Sequence, residues 1–351
     1  MDKINVSIVG AGLVGLEQAI AIENGTSMEL AYIADTPYMR GKTIWDIVEE
    51  RRINEYIPSL ANKIPDSLKQ TRVISSRNFQ ELTKEVDCIF VDSPPTDATS
   101  QLIKDLLERG ITVISHAYSL KDFEKNEITP FIFASVNLDH VELTKLQKTK
   151  GRFIISPNCT NKTVVDTIAA LRSNGIEIKQ MNVRTDQSLS GGGYGLVVSR
   201  MEKKKEILGE AESCTWQLRY RIFADINSEN KQIYPWSVKP HFICERNPER
   251  IFVHGAKTDF ELEEGVTQKD IIAALRNYRG SKQFQKIPSY HPPLIFTENS
   301  PRPEDAERNP YSTVLGEIKY DGSRLHVMSW ESNTCIGSSY NSNQIAEALF
   351  I

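Results

Sequence analysis

The segment Ile4-Asn5-Val6-Ser7-Ile8-Val9-Gly10-Ala11-Gly12-Leu13-Val14-Gly15 runs from an apolar strand pattern directly into three spaced glycines. A helical pattern follows to residue 22, and a second strand pattern over residues 31–35 ends in an acid. Such glycines allow a tight turn and let the backbone approach a pyrophosphate at a helix N-terminus. This succession predicts a dinucleotide-binding βαβ unit. The residues expected to contact the cofactor in this unit are Gly10, Gly12, Leu13, Val14 and Gly15.

The acid that ends the second strand pattern is Asp35. A carboxylate at this position can accept hydrogen bonds from both ribose hydroxyls and repels a 2′-phosphate, which favours NAD. Arg40 and Lys42 lie just beyond and could reverse that preference. We therefore expect NAD or NADP as the cofactor, with a slight preference for NAD.

Strand and helix patterns continue to alternate after this unit, with strands predicted over residues 86–92 and 111–116 and a helix over 98–109. This alternation predicts a parallel, doubly wound sheet. Ser93 and Pro94 follow one of these strands and are expected to face the ligand crevice, because ligands bind beyond the carboxyl ends of parallel strands.

Antiparallel patterns dominate the later part of the chain. A hairpin is predicted from residues 316–320 and 325–330, and a strand over 250–254 continues at 258–262 after a break. The predicted fold class is therefore α/β plus α+β: an N-terminal Rossmann-type domain and a second α+β domain with a mixed or antiparallel sheet. The boundaries are expected at 1–157 with 332–351 for the first domain, and at 158–331 for the second.

A reactive cysteine is predicted in Phe153-Ile154-Ile155-Ser156-Pro157-Asn158-Cys159-Thr160-Asn161. Asn158 can cap the helix that follows, which places Cys159 in the first turn. The helix dipole and the unpaired N–H groups there favour a thiolate, the nucleophilic form of cysteine. The alternative is a small, buried structural cysteine. A glycine-rich run, residues 186–195, is interpreted as a loop whose backbone approaches a ligand.

Composition excludes several classes of protein. The 351 residues carry a formal net charge of −4 without long basic runs, so no nucleic-acid partner is expected. No apolar run is long enough to cross a bilayer, and the N-terminus shows no secretory leader pattern. Five cysteines at irregular spacing indicate neither a disulfide framework nor a metal site. A reducing cytoplasm is the expected location.

Several of these stretches resemble the aspartate-semialdehyde dehydrogenase family, and more distantly glyceraldehyde-3-phosphate dehydrogenase and N-acetyl-glutamyl-phosphate reductase. Ser156-Pro157-Asn158-Cys159-Thr160 is similar to the family's nucleophile motif Asn-Pro-Asn-Cys-Ser/Thr. Gln187-Ser188-Leu189-Ser190-Gly191-Gly192-Gly193-Tyr194 is similar to its Gln-x-x-Ser-Gly-Ala-Gly-Tyr loop. Residues 133–140 and the C-terminal segments 316–320 and 333–350 add to the resemblance, which covers nearly the whole chain.

The resemblance implies a function and roles for individual residues. It implies an NAD(P)-dependent enzyme that interconverts an acyl phosphate, by default aspartyl phosphate, and its aldehyde through a cysteine thioester. A small carboxylate-bearing substrate and a homodimer or homotetramer are implied as well. The implied site residues are Cys159 as nucleophile, His254 as acid and base, Gln187 as a substrate-orienting amide, Arg246 or Arg250 for the carboxylate, Asn158 and Lys121 for the substrate, and Ser190, Gly191 and Gly192 for the cofactor.

Departures from the family pattern keep alternatives open. Lys121 stands where the family has a phosphate-contacting arginine, which makes reduction of an acyl-CoA such as malonyl-CoA a second hypothesis. Near His254, the number of residues between arginine and histidine differs from that in the family. This difference motivates a third hypothesis, a catalytically silent paralogue that still binds NAD(P).

Overall fold

The computed structural model describes residues 3–116, 129–199, 205–227, 229 and 231–351. Its first sheet has six parallel strands in the order β3-β2-β1-β4-β5-β6. The order reverses between β1 and β4, which makes the carboxyl ends of these two strands the natural ligand crevice. The predicted doubly wound sheet is confirmed. Its strands are β1 Ile4–Val9, β2 Met28–Asp35, β3 Ile74–Ser75, β4 Cys88–Val91, β5 Thr112–Ser115 and β6 Phe153–Ile155.

Helices connect these strands on both sides of the sheet, as parallel connections require. The first helix begins directly after the glycine turn and runs two residues beyond the predicted end. The α-helices of this part are Leu13–Asn24, Ile44–Glu50, Ile53–Tyr56, Pro58–Ala61, Asp66–Lys69, Phe79–Leu82, Asp97–Glu108 and Ala134–Asn137. Short 3₁₀ segments lie at Pro37–Met39 and Leu138–Leu146.

The second sheet has seven strands in the order β13-β14-β15-β12-β7-β11-β8. It is mixed, because β7 pairs with β11 and β13 with β14 in parallel while the other pairs are antiparallel. Its strands are β7 Ile178–Gln187, β8 Lys205–Glu206, β11 His241–Arg246, β12 Val253–Leu262, β13 Leu294–Phe296, β14 Thr313–Tyr320 and β15 Arg324–Ser332. A separate hairpin joins β9 Asp225–Asn227 and β10 Gln232–Tyr234.

The predicted break in the strand that carries His254 is wrong. β12 runs without interruption, and residues 255–257 keep their register with both β7 and β15. Gly255 is needed inside the strand, since a Cβ there would lie 2.4 Å from the ring of Trp330 on β15. The glycine therefore marks a close packing contact within a continuous strand.

One helix, Cys159–Ser173, packs on the second sheet and is buried at every position from 160 to 171. Ser329 of β15 donates a hydrogen bond of 2.7 Å to the carbonyl of Thr163, which fastens the helix to the sheet. The other helical segments of this part are the α-helices Tyr194–Ser199, Glu210–Gln217, Gln268–Asn277 and Pro303–Arg308, the π-helices Leu218–Ile222 and Cys335–Ser339, and the 3₁₀ turns Leu189–Gly192 and Phe284–Lys286.

The final helix, Tyr340–Phe350, returns to the first sheet. Its Ile345 and Ala346 share a buried apolar cluster with Ile4 and Val6 of β1. The C-terminal helix thus packs on the first domain, whereas the residue boundaries of the two domains stay a prediction. No helix in the described part of the chain is both long and apolar enough to cross a membrane.

Candidate active site

A cavity of about 440 Å³ lies at the carboxyl ends of β1, β2 and β4. Gly10, Asp35, Ser93 and Pro94 are among its lining residues. Gly10 has a φ of +114°, and a Cβ there would lie 2.9 Å from the carbonyl carbon of Asp92, so this turn requires glycine. Gly12 caps the following helix without a side-chain hydrogen bond, and the space where its Cβ would point is open. A helix N-terminus beside this cavity that has no side-chain cap fits a dinucleotide pyrophosphate.

Asp35 makes hydrogen bonds and a charge contact that the sequence pattern does not predict. Its Oδ2 accepts a hydrogen bond of 2.8 Å from the N–H of Ala11, in the glycine turn, and lies 3.4 Å from a guanidinium nitrogen of Arg51. Its Oδ1 accepts a hydrogen bond of 2.6 Å from the N–H of Thr36. Arg77 lines the same cavity. The negative charge of Asp35 is therefore partly balanced, which weakens its repulsion of a 2′-phosphate.

Cys159 occupies the first position of its helix, as its sequence context predicts. The side chain of Asn158 caps this helix by accepting a hydrogen bond of 2.8 Å from the N–H of Thr160. The Sγ of Cys159 lies 3.5 Å from Nε2 of His254 on β12. Cys159 is half-buried while the other four cysteines are buried, which makes it the accessible thiol of the chain.

The electrostatic surroundings of Cys159 oppose the effect of its helix position. Burial of the sulfur raises the pKa of the thiol, and the carboxyl groups of Glu210 and Glu331 raise it further. The Arg246 guanidinium and the N–H of Thr160 lower this pKa by smaller amounts. The helix N-terminus alone predicts a thiolate. Burial and the two carboxyl groups therefore favour the thiol over the thiolate.

His254 lies between Ser188 and Cys159. The N–H of Ser188 donates a hydrogen bond of 2.9 Å to Nδ1, and the hydroxyl oxygen of Ser188 lies 3.0 Å from the same nitrogen. Nε2 faces Cys159, and the direction of the Ser188 hydroxyl decides which ring nitrogen bears the proton. Burial lowers the pKa of His254 well below its usual value, and the charge of Arg246 lowers it further. His254 is therefore neutral, with Nε2 within hydrogen-bond distance of the sulfur. Its role as acid and base stays a prediction.

The two arginines proposed for substrate binding lie in different places. Nη1 of Arg246 donates a hydrogen bond of 2.6 Å to the carbonyl of Ser188. A Cβ on Gly191 would lie 2.4 Å from this Nη1 and 3.2 Å from Nε2 of His254, so Arg246 and His254 meet beneath the glycine loop. Arg250 instead lies over the ring of Trp330, on the opposite face of the sheet. The structure thus brings Arg246, and not Arg250, to Cys159.

A carboxylate that the sequence analysis missed connects several predicted site residues. Oε1 of Glu210 accepts hydrogen bonds from Asn158 Nδ2 at 3.0 Å and Thr160 Oγ1 at 2.8 Å. Nε2 of Gln187 lies 3.5 Å from the same oxygen. Glu210 is on a helix within residues 200–235, where sequence patterns are too polar to interpret, so no local signal identifies it. Glu210 therefore connects the start of the helix Cys159–Ser173 to the end of β7, where Gln187 lies.

Of the other predicted site residues, Ser190 and Gly192 lie in the glycine loop. Ser190 is buried, and its Oγ accepts a hydrogen bond of 2.7 Å from Asn333, which ties the glycine loop to the C-terminal segment. Gly192 packs against Leu196, whose side chain a Cβ would meet at 2.4 Å. Lys121 lies outside the described residues. Within the described residues, no group of three His, Cys, Asp or Glu side chains could hold a metal ion.

No family model matches the chain, but its sequence and its fold are both similar to aspartate-semialdehyde dehydrogenases. The aspartate-semialdehyde dehydrogenase of Schizosaccharomyces pombe is 25% identical over 313 residues, which cover 80% of this chain and 83% of the relative. That of Trichophyton rubrum is 25% identical over an alignment covering 100% of this chain and 98% of the relative.

Solved structures share the fold across nearly the whole chain. The aspartate semialdehyde dehydrogenase of Candida albicans with NADP has a TM-score of 0.81 at 20% identity, covering 99% of this chain and 98% of that one. Aspartate semialdehyde dehydrogenase II of Vibrio cholerae, complexed with ASA, has a TM-score of 0.74 at 17% identity with the same coverage.

Proposed function

We infer that this chain is a diverged member of the aspartate-semialdehyde dehydrogenase family and propose that it is an NAD(P)-dependent oxidoreductase that interconverts aspartyl phosphate and aspartate semialdehyde. One observation carries the proposal: Cys159 Sγ lies 3.5 Å from His254 Nε2 at the start of a helix. That helix begins just after β6, at the sheet edge that also carries the nucleotide cavity. Because carboxyl ends of parallel strands share one edge, a thiol and a nicotinamide dinucleotide can act on one substrate there.

The proposed chemistry proceeds through a covalent bond to Cys159. Attack of its thiolate on the acyl carbon expels phosphate and leaves a thioester on the sulfur. When bound, the nicotinamide cofactor supplies the hydride that reduces this thioester. Cleavage of the carbon–sulfur bond in the resulting thiohemiacetal releases the aldehyde and restores the thiolate.

Three neighbouring groups would assist this thiol. Nε2 of His254 faces the sulfur, and we assign to it the exchange of the thiol proton. The Arg246 guanidinium lowers the pKa of Cys159 and has the planar donor geometry that suits a substrate carboxylate. We assign the orientation of the substrate to the Gln187 amide, which is buried beside Glu210.

For the cofactor we propose Gly10 and Gly12 as the pyrophosphate contacts, with Ser93 and Pro94 along the cavity wall. The slight preference for NAD rests on Asp35, which lines this cavity. Its contact with Arg51 makes the preference small, and both cofactors are expected to support turnover. Assembly as a homodimer or homotetramer stays a prediction.

The test is reduction of NAD⁺ and NADP⁺ by aspartate semialdehyde, with phosphate or CoA added in turn. The wild type should turn over only with phosphate, Cys159→Ala should be inactive, and Cys88→Ala, which removes a buried thiol elsewhere, should stay active. A requirement for CoA would replace the acyl phosphate by a thioester donor. Undiminished turnover by Cys159→Ala would contradict the mechanism.

A further inference from the structure

Ser188 presents two polar groups to Nδ1 of His254, the ring nitrogen that does not face Cys159. Its backbone N–H donates a hydrogen bond of 2.9 Å to Nδ1, and its hydroxyl oxygen lies 3.0 Å from the same atom. Both residues are 0% exposed. Within the described part of the chain, the hydrogen bonds of Nδ1 come from Ser188 alone. The proposed chemistry does not use this hydroxyl.

The two groups of Ser188 differ in the tautomer of His254 that they support. The backbone N–H can only donate, so it favours a ring whose proton is on Nε2, facing the sulfur. The hydroxyl can also accept, so it supports a ring whose proton is on Nδ1. In a neutral ring this second tautomer is the one that leaves a lone pair on Nε2, where the thiol proton of Cys159 can bind. Proton transfer from Cys159 to His254 therefore depends on the hydroxyl.

Other ionisable groups face the ring from three elements. Cys159 does so from its helix, Arg246 from β11, and Glu331 from β15 as the cross-strand partner of His254. Burial and the Arg246 charge lower the pKa of His254, so the ring is neutral and has one proton to place. Burial raises the pKa of Glu331 well above its usual value, which makes this carboxyl neutral as well.

A chain of hydrogen bonds continues from Ser188 to Asn333. The hydroxyl oxygens of Ser188 and Ser190 are 2.9 Å apart, and Asn333 Nδ2 donates a hydrogen bond of 2.7 Å to Ser190. All three residues are buried. Asn333 Oδ1 has no hydrogen-bond partner among the described residues. A half-turn of this amide exchanges Oδ1 and Nδ2 and again leaves one of them unpaired, so neither orientation is strongly favoured.

The chain can therefore run in either direction. In one direction Asn333 donates to Ser190, Ser190 to Ser188, and Ser188 to Nδ1 of His254. In the other, Nδ1–H donates to Ser188, Ser188 to Ser190, and Ser190 to Oδ1 of Asn333. The reversal requires rotation of two hydroxyls and one amide. The ring loses a proton at Nε2 and gains one at Nδ1, with water as the carrier, so its charge does not change.

We propose that Ser188, Ser190 and Asn333 form a reversible hydrogen-bond relay that sets which nitrogen of His254 bears the proton, with Ser188 as the positioning residue. When Nδ1 bears it, the S–H bond of Cys159 breaks and an N–H bond forms at Nε2. The products are a thiolate and an imidazolium that donates from Nδ1 to Ser188. The role of the relay in turnover rests on the proposed function, whereas its effect on the ring and on the thiol does not.

Alkylation of Cys159 by iodoacetamide tests the relay without substrate, with the labelled peptide quantified by mass spectrometry. Ser188→Ala removes the hydroxyl and keeps the backbone N–H. At neutral pH it should slow labelling by about 10-fold, equivalent to about 1.4 kcal/mol, the size of one hydrogen bond. At high pH hydroxide removes the thiol proton, and the two rates should converge. A hydroxyl that only fills space predicts instead a ratio of rates that does not change with pH.

NMR spectra of protein labelled with ¹⁵N-histidine report the tautomer directly. The Nδ1 signal of His254, assigned by its absence from His254→Asn, should move in Ser188→Ala toward that of a fully unprotonated nitrogen. Ser188→Thr keeps a hydroxyl and should restore both the signal and the labelling rate. Ser190→Ala should shift both readouts in the same direction by less, and it replaces Ser188→Ala if that variant does not fold. Ser199→Ala, which removes an exposed hydroxyl on the following helix, should match the wild type.

The possible outcomes separate this inference from the proposed function. An unchanged Nδ1 signal in Ser188→Ala would overturn the inference, and so would labelling of this variant as fast as the wild type at neutral pH. A His254→Asn variant that labels like the wild type would overturn it too, because the relay acts through this ring. Both expected shifts in a protein without dehydrogenase activity would leave the relay standing and refute the proposed function alone.

Discussion

Gly191→Ala gives a sharp prediction because the added methyl group would enter the site itself. The new Cβ would lie 2.4 Å from Nη1 of Arg246 and 3.1 Å from Cε1 of His254, where ordinary contacts begin at 3.4 Å. The Arg246 side chain is buried and hydrogen-bonded to Ser188, so it has little room to move. Relief of the overlap therefore requires a shift of about 1 Å at the guanidinium.

A displacement of that size is large for catalysis. Misplacing a catalytic group by about 1 Å can cost about 10²-fold in rate, equivalent to roughly 2.7 kcal/mol of transition-state stabilisation. We expect Gly191→Ala to lower kcat/KM for aspartate semialdehyde by about this factor. Movement of Arg246 should raise KM for the carboxylate substrate, and movement of His254 should lower kcat.

The same loop offers a matched control. A Cβ on Gly195 would meet no atom within 4 Å, so Gly195→Ala should retain wild-type kinetics. Both variants are compared by the appearance of reduced nicotinamide, with circular dichroism as a check on folding. Full activity of Gly191→Ala, together with an unchanged melting curve, would refute the assignment of Arg246 and His254 to the reacting site.

Three further predictions concern stability and cofactor choice. Lys162→Met leaves Asp166 buried without its counter-charge and should lower the free energy of unfolding by about 3–5 kcal/mol. The double variant Lys162→Met/Asp166→Leu should lose less stability, because it leaves no unpaired charge. Equal losses of stability for the two variants in urea titrations would contradict this. The raised pKa of Glu331 means that the folded state holds this proton more tightly than the unfolded state. The wild type should therefore lose stability relative to Glu331→Gln as pH rises from about 4.3 toward the folded-state pKa, and parallel stability curves would count against a buried carboxyl. Asp35→Asn removes the charge that disfavours a 2′-phosphate. The ratio of kcat/KM for NAD⁺ to that for NADP⁺ should therefore fall by about 10-fold. An unchanged ratio would contradict the assignment of Asp35 to the cofactor site.

The parts of the fold that local patterns determine could be predicted from the sequence. The bounds of β1, residues 4–9, agree with the prediction, because an apolar run that ends at a glycine turn is a short-range signal. The helix that begins at Cys159 follows from the Asn158 cap in the same way. The predicted break in β12 was wrong because the strand continues through Gly255, whose close packing partner, Trp330, is distant in sequence.

The electrostatic character of the site depends on contacts that no local pattern contains. Glu210 and Glu331 approach Cys159 from two different elements, 51 and 172 residues away in the chain, and together with burial they reverse the expected direction of its pKa. The hydrogen bonds of His254 Nδ1 come from Ser188, 66 residues away.

The central claim, that this chain works through a thioester on Cys159, can be tested by trapping the intermediate. Wild type, mixed with aspartate semialdehyde and NAD(P)⁺ in the absence of phosphate, is quenched with acid and analysed by mass spectrometry of the peptide that contains Cys159. The account predicts an aspartyl adduct on this peptide, absent from Cys159→Ala and discharged when phosphate is added before the quench. Turnover at the normal rate with no adduct on Cys159, or with the adduct on another residue, would contradict it.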